Sequence, residues 1–346
     1  MVQKAENMEE IKSLILRITE RCNLSCDYCY AACSGCKVRD MSAETAIRAV
    51  ELCCPEGGQL RVQFTGGEPL LNMGVIEAVF AFGKATNRRL ILAVQTNGTL
   101  LTENHCRRLA AMKCAVGVSL DGLQDANSLR HFSDGTPAFA RTVEGIRNLG
   151  KFGIRCNLTA VVTNKNAQYL GQLPDLALWL GNVSGIGLDL FRPLGRGTEQ
   201  SLSPKEGDLV QGLLELVKKA AEIRAAGILF RLRELERIKK RIACETCSGI
   251  YCYAQTEQSI CVDADGNCWP CSSLAGNTAF YLGNIQDGLP QNHACRHALS
   301  APEKCKNCSS FHLCVGGCPA SRSSLGGMPD KLTCAMNRTL LEEIRK

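Results

Sequence analysis

Nowhere in its 346 residues does this chain hold an apolar run long enough to cross a bilayer, which takes roughly 18 residues or more. Its opening, MVQKAENMEEIK, carries charge where a secretory leader has its apolar segment; the expectation is a cytoplasmic protein with no membrane partner. Charge of one sign is also scarce. The net charge is +6, and the basic residues are scattered except in RLRELERIKKR (231–241), which reads as the solvated face of an amphipathic helix. A nucleic-acid partner is not expected from that pattern. No low-complexity linker and no internal repeat is detectable, and the 5% aromatic content decides nothing. With 45% hydrophobic residues, the chain can build one large domain plus a smaller one.

What it has in excess is cysteine, 22 in all. In an oxidising compartment these would form a disulfide framework, but such frameworks belong to small secreted domains. In a reducing cytosol, so many thiols point to metal or cluster ligation.

From residue 11 to about 192, short β-branched runs alternate with longer helical patterns. The strand candidates are 11–19, 60–65, 90–96, 115–121, 154–162 and 186–191, with helices near 42–54, 72–85, 102–112, 137–149, 166–180 and 204–225. This βα order predicts an α/β fold on a parallel sheet, with chemistry at the carboxyl ends of the strands. The turns there are polar or glycine-rich: ERCNLSC, GGEPLL, NGTL, GLQD, TNKN and RPLGRG. A parallel barrel and an open doubly wound sheet both place their sites on such turns. After about residue 243 the cysteines crowd together, and long helices vanish until 333–345. The expected division is therefore 1–235 and 236–346.

Directly after the first strand comes RCNLSCDYCYAACSGC (21–36), in which Cys22, Cys26 and Cys29 form C-x3-C-x2-C. At this cysteine content the triple arises by chance with a probability of roughly one in ten, so spacing alone is a weak signal. With Cys33 or Cys36 as a fourth ligand the stretch could be a zinc site. Three thiolates on a four-iron cluster would instead leave one iron open. The second strand ends in TGGEPLL (65–71). There Gly66 and Gly67 permit close backbone approach, Glu68 can pair with a cation, and Pro69 stiffens the exit.

C-x3-C-x2-C after one strand and G-G-E-P after the next resemble the radical S-adenosylmethionine (SAM) superfamily. The resemblance implies a partial (β/α)6 TIM-type barrel. Cys22, Cys26 and Cys29 would hold a [4Fe–4S] cluster whose open iron is chelated by the SAM amino and carboxylate groups. The turn Gly66, Gly67, Glu68 and Pro69 would bind the amino group, and Tyr28 would lie near the adenine. Ser119 matches a position for the carboxylate or ribose, Arg130 and Arg141 are candidates for the carboxylate, and Asp121 either joins them or caps its turn. FRPLGRG (191–197) resembles the sixth strand-end turn. A fourth ligand from Cys33 or Cys36 would close the open iron, so both are read as non-ligands.

Toward the end of the chain, Cys305, Cys308, Cys314 and Cys318 form C-x2-C-x5-C-x3-C, a pattern chance supplies about once in two hundred such chains. With Cys252-x13-Gly266-x4-Cys271 upstream and Cys334 downstream, the series looks like the SPASM extension of radical SAM enzymes, a small cysteine-rich domain. Two zinc sites are the alternative, but they leave the GGEP turn unexplained. The resemblance covers about 14–338 and implies two auxiliary [4Fe–4S] clusters. Cys305, Cys308, Cys314 and Cys334 would hold one. Cys252, Cys271 and Cys318 would hold the other, with Cys247 as the fourth ligand; Cys244, Cys261, Cys268 or an open iron are the alternatives. Cys53, Cys54, Cys106, Cys114 and Cys156 sit in apolar patterns and read as small buried hydrophobes.

What the resemblance implies is reductive cleavage of SAM to a 5′-deoxyadenosyl radical, which oxidises a peptide or protein by thioether or carbon–carbon crosslinking or a related maturation. A reductant such as ferredoxin or flavodoxin is implied. Sulfatase-maturing relatives carry an aspartate immediately after the second SPASM cysteine, whereas Cys271 is followed here by Ser272, which argues against that substrate. The first strand begins so early that no peptide-recognition domain is expected before it, so a peptide leader would bind a separate partner protein or the catalytic domain. The alternatives are tailoring of a small molecule such as a haem precursor and, from another class, a non-catalytic Fe–S electron-transfer protein.

Overall fold

The computed structural model describes residues 10–33, 39–199, 201–243, 250–290 and 299–346. The first six strands are each followed by a helix. They are β1 (Ser13–Thr19), α1 (Ala43–Cys53), β2 (Gln59–Gly66), α2 (Met73–Ala85), β3 (Arg89–Thr96) and α3 (Glu103–Ala111). Then come β4 (Ala115–Ser119), α4 (Phe139–Lys151), β5 (Cys156–Val162), α5 (Leu173–Leu180), β6 (Val183–Leu190) and α6 (Glu206–Ala225). This is the (β/α)6 order of a partial TIM-type barrel. The strands alternate buried and half-exposed positions, as in β1 and β5, because successive side chains point to opposite faces. The stretch at 166–180 is not one helix: a 3-10 turn (Ala167–Gln172) precedes α5. Pro174 has no N–H for an α-helical bond, and its ring would meet the carbonyl of residue 170.

The chain divides into two compact units, and neither follows chain order. The first holds Met1–Arg21, Lys37–Ala93 and Cys252–Ser300, and the second holds Cys22–Cys36, Val94–Tyr251 and Ala301–Lys346. The division falls inside β3.

In the first unit β1 pairs in parallel with β2 on one side and with β8 (Ser259–Val262) on the other. From β8 the sheet continues antiparallel through β9 (Asn267–Trp269) and β10 (Gly283–Asn284). This extension was not expected from the loop-like, cysteine-rich sequence. Its signal is the four-residue run SICV, all four residues buried, followed by a DADGN turn. There Asp263 Oδ1 accepts from Asp265 N and Asn267 N, both at 3.0 Å, as short polar side chains do in hairpin turns.

In the second unit β4, β5, β6 and β7 (Arg231–Leu232) pair in parallel. α7 (Arg233–Ile242) follows β7 directly, then come the single turns α8 (Glu303–Lys306) and α9 (Phe311–Cys314), α10 (Pro319–Ser324) and α11 (Lys331–Arg345). α11 packs on α6 and α7. Cys53, Cys54, Cys106, Cys114 and Cys156 are all buried, as small hydrophobes are. Burial pushes the Cys106 thiol up to about 11 and the Cys114 and Cys156 thiols up to about 12, which keeps them protonated and inert.

Candidate functional site

The first unit builds the glycine-rich turn onto the end of β1. Gly67 N donates to Thr19 O at 2.8 Å and Glu68 N donates to Arg21 O at 2.7 Å. Gly66 has φ +138°, and a Cβ there would stand 2.2 Å from Thr19 O, so only glycine fits. Arg21, the residue before Cys22, donates through Nη2 to Leu71 O at 3.1 Å and pairs with Asp40 at 2.6 Å. Asn72 donates to Ile18 O and Met41 O. Glu68 is fully buried, its Oε1 accepting from Leu70 N at 3.1 Å, and Pro69 opens the short 3-10 turn that follows.

In the second unit the loop carrying Cys22, Cys26 and Cys29 is fastened from three directions. Ser25 N donates to His131 O at 2.7 Å and Asp27 N to Leu129 O at 3.1 Å, while His131 Nε2 meets Asp27 Oδ1 at 3.0 Å. Arg196 donates through Nε to Cys26 O at 2.9 Å and through its backbone N to Cys29 O at 3.0 Å. A Cβ on Gly195 (φ +58°) would come 2.4 Å from Cys29 O, so this crossing too requires glycine. Asn97 Nδ2 lies 4.0 Å from Cys22 Sγ and donates to Asn23 Oδ1 at 2.9 Å. The apolar side of the loop, with Leu24, Cys26 and Tyr28, packs on Leu129, Ala138, Phe191 and Leu202, with Cys22 and Cys29 against the same cluster.

Behind the loop lies a buried polar chain. The Tyr28 hydroxyl donates to Asp121 Oδ2 and accepts from Arg130 Nη1 at 2.7 Å. Asp121 does not cap its own turn; its Oδ1 accepts from Val161 N at 2.9 Å. Burial raises the Asp121 carboxyl above the usual carboxylate range, opposed by the Arg130 guanidinium and the Tyr28 hydrogen bond. Burial likewise raises the Cys26 thiol, with Arg130 and Arg196 acting against it. Both cations therefore favour the thiolate that a metal cluster requires. Arg130 Nε is buried with no hydrogen-bond partner among the described residues. Ser119 accepts from Gln95 Nε2 at 3.0 Å. Arg141 instead forms an exposed pair with Glu144 on α4.

The C-terminal thiols separate into groups. Cys305, Cys308, Cys314 and Cys334 line one cavity of about 240 Å³, walled by Ile238, Phe311 and Leu341 among others. Burial raises the Cys305 and Cys334 thiols, and each is raised further by the neighbouring Cys314. Asn337, buried on α11, donates through Nδ2 to Cys314 Sγ at 3.2 Å. Cys252 and Cys271, in the first unit, each precede a short 3-10 turn with nearly the same extended backbone. Cys318, in the second, stands at the N-terminus of α10. Cys261 and Cys268 are buried in β8 and β9, and burial pushes the Cys268 thiol up to about 12. Cys33 is buried; Cys36, Cys244 and Cys247 lie outside the described residues. Among the described residues no three His, Cys, Asp or Glu side chains gather as a single metal ion requires.

Residues 16–177 match the radical SAM superfamily. An uncharacterized protein of Methanocaldococcus jannaschii is 32% identical over 81% of this chain and 91% of its own length. This chain belongs to the radical SAM superfamily. A cysteine-type anaerobic sulfatase-maturating enzyme of Clostridium perfringens is 26% identical over 92% of this chain and 91% of that one. An AdoMet-dependent heme synthase of Methanosarcina barkeri is 27% identical over 86% and 88%. Among solved structures, native anSMEcpe with bound AdoMet superposes with a TM-score of 0.82 at 24% identity, covering 96% of each chain, and so shares the fold. The protein is therefore an enzyme, and its superfamily implies a [4Fe–4S] cluster and SAM.

The residues present fit that pair. Three thiols stand on one fastened loop beside two guanidinium groups, and one of these, Arg130, keeps a buried donor with no acceptor among the described residues. Two residues that sequence reasoning did not single out also touch this loop. Asn97 and Arg196 reach the cysteine loop only through tertiary contact. Their one sequence signal was position, each lying in a strand-end turn.

Proposed function

We propose that this radical SAM enzyme oxidatively modifies a peptide or protein substrate, forming a thioether or carbon–carbon crosslink or a related maturation. The observation that carries this reading is the set of four thiols, Cys305, Cys308, Cys314 and Cys334, around one cavity in a chain whose N-terminal half is a radical SAM core. Such a set suits an auxiliary [4Fe–4S] cluster that takes up the electron left after substrate oxidation. A second auxiliary cluster on Cys252, Cys271 and Cys318, with Cys247 as fourth ligand, belongs to the same proposal, as does the functional division into 1–235 and 236–346.

Bound at Cys22, Cys26 and Cys29, the first cluster would supply reductive SAM cleavage. The protein's own part is to hold and orient. Gly66, Gly67, Glu68 and Pro69 are assigned to the SAM amino group, Arg130 to its carboxylate, Ser119 to the carboxylate or ribose, and Tyr28 to the adenine side. The buried chain from Arg130 through Tyr28 to Asp121 would keep these groups from relaxing away from a bound cofactor, which is how positioning lowers a barrier. A separate peptide-recognition protein and a ferredoxin or flavodoxin reductant are proposed partners.

Similarity to an AdoMet-dependent heme synthase supports the second reading, tailoring of a haem precursor. Anaerobic incubation of the reconstituted, reduced protein with SAM should yield 5′-deoxyadenosine and methionine. Cys22→Ala should abolish both products and Cys33→Ala should leave them. Co-expression with a candidate precursor peptide should lower the peptide's mass by two hydrogens per crosslink. An unchanged peptide together with a shortened propionate on an iron porphyrin would instead favour the second reading.

A further inference from the structure

We infer that Asn337 is a tuning residue for the C-terminal thiol site, raising the reduction potential of the cluster held by Cys305, Cys308, Cys314 and Cys334. The inference rests on the reading that these thiols hold a cluster, and it goes beyond that reading in assigning a residue outside the ligand set. Asn337 lies three residues after Cys334 on α11, so one helical turn brings both side chains to the same face. Its Nδ2 donates to Cys314 Sγ at 3.2 Å, and Asn337 is itself buried. Ile238, Phe311 and Leu341 wall the cavity, and in such surroundings a hydrogen bond to a thiolate is little weakened by water.

Two guanidinium groups also act on this set, Arg322 on Cys305 and Arg338 on Cys334, against the burial and the neighbouring thiols that disfavour charge there. Arg322 is held in place by donating from Nη1 to Gly316 O at 2.6 Å and Gly317 O at 2.8 Å. Reduction adds negative charge that the ligating sulfurs share, so a donor aimed at one of them stabilises the reduced state more than the oxidised one. Outer groups of this kind tune metal sites without touching the metal. Asn337 donates the only hydrogen bond to a sulfur of this set found among the described residues. Its amide keeps its direction because the side chain is buried on a helix anchored by Asp330, which caps α11 through Leu332 N at 3.0 Å.

The test is a redox titration followed by electron paramagnetic resonance (EPR). It uses reconstituted full-length protein in a Cys22→Ala/Cys26→Ala/Cys29→Ala background, which leaves only auxiliary signals. The relevant wave is the one lost on Cys314→Ala. In Asn337→Leu, with iron and sulfide content unchanged, the reduction equilibrium should fall about tenfold, which for one electron is a midpoint lower by about 59 mV. Asn337→Gln, which keeps the donor, should recover part of the shift. An unchanged midpoint in an iron-replete Asn337→Leu protein would overturn the inference while leaving the cluster reading intact. Absence of iron at these thiols in the background protein would overturn both. Should Asn337→Leu lose its iron, ¹⁵N-asparagine labelling of the unaltered sequence decides. Pulsed EPR of the reduced site should show coupling to one asparagine side-chain nitrogen, and no coupling would sink the idea.

Discussion

At the scale of single residues, the site is set by positions where one atom too many ruins the geometry. Gly66 is the sharpest case: a methyl group there would need the space of Thr19 O, at a φ that L-residues avoid. Gly66→Ala should cost about 1–3 kcal/mol from backbone strain alone, read as a lower urea midpoint, and should weaken SAM binding measured by equilibrium dialysis. His131 is a gentler case. Burial works against its protonation, but hydrogen bonds to Phe132 O and the Asp27 carboxylate outweigh this and raise its pKa. The folded state therefore holds the proton more tightly than the unfolded one. That stability is fully present below the unfolded value of about 6.5 and is lost as pH rises through the folded value. Both partners are partly exposed, so solvent limits the effect to about 1 kcal/mol or less. His131→Gln should flatten the fall in urea midpoint between about pH 6 and about pH 8; an equal fall in both proteins would remove the clamp from the account.

At the scale of elements, α11 carries two groups of the C-terminal thiol site, Cys334 and Asn337, and its entry is fixed by one side chain. Asp330 accepts from Leu332 N at 3.0 Å, from Thr333 Oγ1 at 2.6 Å and from Ser321 Oγ at 3.1 Å. Losing such a cap costs about 1–2 kcal/mol. Asp330→Ala should therefore lower the unfolding midpoint and release iron from the C-terminal site first, which iron analysis against a Cys314→Ala control would register. Elements with a strong period were legible in the sequence, because the alternating and helical apolar patterns act locally: the six β-then-α pairs stand within a few residues of their expected places, except that α5 starts only at Leu173. The 3-10 break before α5 was written in Pro174. The β8–β9 hairpin was obscured because its strands are only four and three residues long, too short for period-2 alternation to register. The cysteine spacings were equally plain. The buried chain from Arg130 to Asp121 was not, because its members lie 93 and 102 residues from Tyr28 and become neighbours only when strand ends meet.

At the scale of the whole molecule, the order of the chain and the order of its compact parts differ. The loop with Cys22, Cys26 and Cys29 and the C-terminal set at 305–334 lie at opposite ends of the sequence yet belong to the same unit, whereas Cys252 and Cys271 belong to the other. Residues within one compact unit tend to unfold as one cooperative block. A ligand that binds only the folded state adds to the stability of the block it occupies. The reconstituted protein should therefore lose the two thiol sites of the second unit in a single urea transition, whatever their separation in sequence. Monitoring the SAM-perturbed EPR signal for the first site, and the signal lost in Cys314→Ala for the other, should give coincident midpoints. Gly66→Ala, which strains the first unit, should leave those two midpoints coincident with each other. Two well-separated midpoints in the unaltered protein would show that the thiol sites are held by independently folding parts, and the division of the chain into these two units would then have no thermodynamic meaning.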